Sequence, residues 1–256
     1  MGRQDGVSPG HPARHGHIAG ARRRQQAAPW ADFGRIPGPL RNAGPHAPLS
    51  CTGIEATLPF PAVLAQARRW GLPEWEAERL LPAAERCLRW LRIVTDPPGF
   101  SGGYVPNPAP GGPYRCETRS QTHAHRAALL GADLLDAFGS SDAAALRGWA
   151  DDLCTRFRTD FWLEDGAGGR PAALLTAGGR PVPHLASTTA ASLLDTGLLG
   201  GGAPAPGLLD AAQTDQLARL LGRPAMDSGW GLRGGWVPRR AAATRSGTAQ
   251  RRRPRP

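Results

Sequence analysis

The chain contains no lysine, so all 31 of its basic residues are arginine. Its 256 residues include only two tyrosines, two methionines and four cysteines. No apolar run reaches the roughly 18 residues that a membrane-spanning helix requires. The first residues lack the hydrophobic stretch of a signal peptide. These absences predict no membrane partner and a cytoplasmic protein. Cys51, Cys87, Cys116 and Cys154 form no Cys-x-x-Cys pair, and no Cys/His spacing suits zinc. The expectation is therefore reduced, mostly buried thiols, with no metal and no cofactor. A GxSxG nucleophile elbow, a phosphate loop and a dinucleotide fingerprint are also missing.

The net charge of +10 suggests a nucleic-acid partner until it is located. Residues 1–50 carry a balance of +5, residues 237–256 carry +7, and everything between carries −2. The basic character thus belongs to the two ends, whereas a nucleic-acid-binding domain carries its charge on a folded face. Residues 1–53 are rich in Arg, Pro and Gly without apolar periodicity, and residues 237–256 repeat that character. Both read as disordered, flanking a helical domain over 54–236.

Within that domain the apolar spacing predicts helices. Val63, Leu64, Ala67 and Trp70 form one face, with Gly71 as a stop. Trp75, Leu80 and Leu81 continue a second helix, which Pro82 is expected to break or restart. Ala84, Cys87, Leu88 and Leu91 make a further i, i+3, i+4, i+7 stripe. Residues 95–114 form a long loop in which Phe100, Tyr104 and Tyr114 offer contact surface. Two strong helices follow, Thr118 to Phe138 and, capped by Ser141 or Asp142, onward to about Trp162. Ala172–Leu175 and Pro181–Val182 suit a small β-hairpin. Ser187–Leu199 and Leu208–Leu221 read as two more helices.

The residues with the densest chemistry are Met226-Asp-Ser-Gly-Trp-Gly-Leu-Arg233. Glycines on both sides of Trp230 allow backbone conformations closed to other residues, so the indole can be presented from a loop. Asp227 supplies acceptors and Arg233 a planar donor fork. A flat apolar face between them suits a polyhydroxylated ring such as a sugar; the competing reading is a turn whose Trp caps the core. Glycosidases work with paired carboxylates, and the loop-borne candidates are Asp96, Glu117, Glu164, Asp165 and Asp227. His123 and His125 point to different helix faces and make a poor metal pair.

Arg69-Trp-Gly-Leu-Pro73, Leu81-Pro-Ala-Ala-Glu85, Tyr114-Arg-Cys-Glu117, the helix phrase from His123 to Leu135, Phe161-Trp-Leu-Glu-Asp165, Gly179-Arg-Pro-Val182 and the 226–233 stretch occur in a telling order. Together, over residues 56–236, they resemble bacterial glycogen debranching enzymes of the amylo-α-1,6-glucosidase type. The resemblance implies an all-α fold, an (α/α)₆ toroid of helical hairpins, here incomplete and carrying the small β-hairpin as an insertion. It also implies hydrolysis of α-1,6-linked glucose branches on an α-glucan. Glu117, His125, Asp227, Trp230 and Arg233 fall on motifs that line the sugar pocket. A family phrase that supplies an acid near residues 100–114 is missing. Another appears as Thr188-Thr-Ala-Ala-Ser192, without its amide and imidazole. The catalytic acid and base stay unassigned. The expectation is a truncated, catalytically impaired glycosidase that self-associates through an exposed apolar edge. The alternatives are a non-catalytic carbohydrate-binding remnant and, less favoured, an Arg-rich nucleic-acid-binding protein.

Overall fold

The computed structural model describes residues 34–36, 54, 56–95, 102–108, 114–164, 168–183 and 187–234. The expected arm over 1–53, apart from residues 34–36, and the tail over 237–256 lie outside the described residues, as do Cys51, Asp96, Phe100, Asp165 and the Tyr114 side chain. The described residues are mostly helical. In order, α1 spans Pro59–Arg69, α2 Glu74–Thr95, β1 Asn107–Pro108, β2 Tyr114–Glu117, α3 Thr118–Ala137 and α4 Ala143–Asp160. Then come β3 Trp162–Leu163, β4 Arg170–Pro171, β5 Leu174–Leu175, β6 Pro181–Val182, α5 Ser187–Ser192 and α6 Ala211–Leu221.

The third helix organises the rest. It is buried on nearly every side, from Thr118 through Ala124, Ala127, Ala128, Leu130 and Gly131 to Leu135. A helix apolar or small all round belongs in the middle of a fold. Its small residues let neighbours approach closely: a Cβ on Gly131 would stand 2.8 Å from both Leu88 methyls of α2. Helix α1 packs across α3 on its other side, and α4 returns antiparallel after Gly139, whose φ of 73° requires glycine. The expected helical hairpin is thus present. Asp142 does occupy the N-cap of α4, but its side chain makes no capping hydrogen bond.

Several expectations need correction. Pro82 does not break the second helix; α2 runs through it from Glu74 to Thr95. Its ring removes one intrahelical bond at an exposed position, and the buried stripe Ala77, Ala84, Cys87, Leu88 and Leu91 holds both halves in line. The buried face of α1 is Pro61, Ala62, Leu64 and Ala65, whereas Val63 and Trp70 are exposed. Helix α5 ends at Ser192 instead of Leu199, because the chain turns through Gly197 at φ 82° and Asp195 is drawn to Arg126 at 2.7 Å. Three residues within the stretch expected as a disordered arm are packed: Ile36 N–H donates to Thr57 Oγ1 at 3.0 Å and Arg35 lies over Trp90.

The β-structure exceeds the single expected hairpin. β5 and β6 form that hairpin, pairing Leu174 with Val182. It extends into a four-stranded antiparallel sheet in the order β1-β2-β5-β6, with β3 and β4 as a separate pair. An all-α description is therefore too narrow. Cys87, Cys116 and Cys154 are buried thiols outside any disulfide, as the sequence suggested. Burial pushes their thiols up, Cys87 to about 12 and the other two to about 11. Among the described residues no helix is long and apolar enough to cross a membrane.

Candidate functional site

The stretch after α6 is a tight hairpin-like loop. Asp227 and Leu232 form an antiparallel bridge, and Arg233 N–H donates to Met226 O at 2.7 Å. Inside it, Ser228 N–H reaches Gly231 O at 3.0 Å and Ser228 Oγ donates to the same oxygen at 2.6 Å. Gly229 N–H donates to Asp227 Oδ1 at 2.8 Å. Gly229 and Gly231 adopt φ of 81° and 146°, as their flanking of Trp230 foreshadowed. Met226 is the anchor, 2% exposed within the core formed by Phe157, Phe161, Leu217 and Leu221. Trp230, at the tip, is 100% exposed. It does not cap the core. The loop's backbone is fixed by its own hydrogen bonds, and its indole has both faces in solvent.

Glu117 and His125 sit elsewhere, on the first turns of α3. Glu117 is the last residue of β2 and the N-cap of α3, half-buried, with extended backbone and no capping bond from its side chain. A carboxylate there is favoured by the helix dipole. Its strand register places it opposite Leu174, which faces Val182 in turn. Residues opposite one another in a sheet, and residues two apart in a strand, share a face. Glu117 therefore shares a sheet face with Arg115, Leu174 and Val182. Those three, with Thr176, Ala177, Gly178 and Arg180, line a cleft of about 460 Å³. That volume lies within the range of small-ligand sites.

His125 is not at a loop. It is 5% exposed, and its Nε2 lies 3.1 Å from Cys154 Sγ on α4. Burial, helped by the nearby Arg158 charge, pushes its imidazole down to about 4. A neutral ring beside a thiol packs in the interior, at the base of a small crevice that Arg126, Asp195 and Leu208 also line. The 95–114 loop is corrected at Tyr104. That ring is 2% exposed, edge-on to Phe161 at 5.2 Å, and donates to Asp160 Oδ2 at 2.8 Å. Gln121 of α3 holds the same segment, accepting from Val105 N–H and donating to Val105 O, each at 2.9 Å.

Of the other acids, Glu164 is exposed and accepts from Trp162 Nε1 at 2.7 Å. Trp162 packs on Gly169, where a Cβ would come within 2.4 Å of the indole nitrogen and 2.6 Å of Gln216 Oε1 on α6. This aromatic, carboxylate and amide grouping was not foreseen, because the β3–β4 pair that assembles it has only two residues per strand. Among the described residues no group of three or more His, Cys, Asp or Glu could hold a metal ion. The geometry offers an aromatic platform and, separately, a cleft with guanidinium donors on the sheet face that carries Glu117. Comparison with protein-family models, with curated proteins and with solved structures finds no match to this chain.

Proposed function

We propose that this chain binds α-glucan in the manner of a glycogen-debranching protein, with little or no hydrolysis of its own. The observation that carries the reading is Trp230, wholly exposed on a loop held rigid by its own hydrogen bonds. A glucosyl ring would lie on the indole face, with Asp227 and Arg233 meeting its hydroxyls. The cleft beside Glu117, lined by Arg115 and Arg180, would take another glucosyl unit. The helical hairpins α1–α2 and α3–α4 are compatible with part of an (α/α)₆ toroid. The missing acid-bearing phrase near residues 100–114 is the reason to expect impaired catalysis. The test is glucose release from a branched limit dextrin, set beside direct binding of a branched maltooligosaccharide. Binding without release is expected. Release that Glu117→Gln or Asp227→Asn abolishes would replace this reading with an active glycosidase.

A further inference from the structure

The corner between α1 and α2 carries two tryptophans that the core does not use. Trp70 is 83% exposed and Trp75 61% exposed, although their helical spacing suggested burial. The corner is rigid. Trp70 N–H bonds to Gln66 O at 3.0 Å, Leu72 N–H to Ala67 O at 3.0 Å and Glu76 N–H to Pro73 O at 2.9 Å. Gly71 turns the chain at φ 101°. Arg68 clamps Glu74 with bonds of 2.9 to 3.2 Å, fixing α1 to the start of α2. Arg79 lies over the Trp75 ring at 5.6 Å and 3.7 Å from Glu76.

From this we infer a second carbohydrate platform, in which Trp70 and Trp75, and not the Trp230 loop, receive an extended α-glucan chain. The rings are islands among hydrogen-bonding charged groups. The centre of a protein–protein interface is depleted in charge, whereas stacked sugar rings need flat apolar faces with donors and acceptors at their edges. The ion pairs leave this corner near neutral, which disfavours a polyanion. The choice of glucan among hydroxylated polymers rests on the function proposed above. Two platforms on one chain would add their effects on a long polymer and not on a short oligosaccharide.

The test compares the full chain with Trp70→Ala/Trp75→Ala and with Trp230→Ala. Each is measured for retention on glycogen particles, for titration with a short branched maltooligosaccharide, and for sedimentation. Both corner residues are exposed, so the double variant is expected to keep the parent melting curve. The inference expects glycogen retention weaker by about tenfold or more in the double variant, with oligosaccharide affinity unchanged. Unchanged retention overturns it, as does a loss that coincides with a dimer becoming a monomer. If retention depends on Trp70 and Trp75 while Trp230→Ala changes nothing, the Trp230 reading falls and the corner platform stands. If the parent binds neither ligand, both fall.

Discussion

Replacing His125 by leucine should flatten the pH dependence of stability on the acid side. The folded imidazole titrates near 4 against an ordinary 6.5, because burial beside Cys154 and the Arg158 charge both disfavour its cation. A depressed folded pKa means that the unfolded chain takes up the proton first. The stabilisation is then fully present above pH 6.5 and is lost as pH falls toward 4. With these two values the loss from this one group is about 1.2 kcal/mol between pH 7 and 5.5, and about 3 kcal/mol by pH 4. The assay is urea unfolding at pH 7.0 and 5.5 for the parent and for His125→Leu. Only the difference between the two pH values is compared, so any packing cost of the substitution cancels. The parent should lose about 1.2 kcal/mol more than the variant. Equal losses would show that His125 is hydrated in the folded state, and the interior assignment would be wrong.

Other consequences follow from the same packing. Gln121→Leu strips a buried N–H and C=O of Val105 of their partners and should cost about 2–4 kcal/mol, read as a lowered urea midpoint with an unchanged slope. Pro82→Ala restores an intrahelical donor at an exposed position and should raise stability by about 1–3 kcal/mol, whereas a helix broken at Pro82 would gain nothing. Cys87, Cys116 and Cys154 should resist a thiol-specific disulfide reagent at pH 8 until the chain is unfolded; rapid labelling of any of them would contradict its burial.

The helices were legible where one apolar stripe decides the matter, as in α3, which ends one residue short of its expected limit. In α6 the start shifts from Leu208 to Ala211, because Asp210 and Gln213 form a reciprocal capping box while Leu208 and Leu209 pack ahead of it. Periodicity was silent where several faces were possible. In α1 it admitted Val63 and Trp70 as core, but alanines 62 and 65 allow closer approach to α3, and that contact selects the buried side. Strands of two to four residues leave no period to read, so the sheet that sets Glu117 beside its cleft came from structure alone. Of the candidate residues, Asp227, Trp230 and Arg233 were legible because two glycines around a tryptophan constrain the backbone locally. The burial of His125 was not legible, because it depends on α4, far along the chain.

The most direct test of the account is titration of the full chain with a branched maltooligosaccharide, set against Trp230→Ala. One indole face covers on the order of 80 Å², worth about 2 kcal/mol at 25 cal/mol per Å². Trp230→Ala should therefore weaken binding roughly 10- to 30-fold while leaving the melting curve unmoved, since the ring touches nothing in the core. Equal affinity of the parent and the variant, or no binding by the parent, would contradict the claim that this loop holds a sugar.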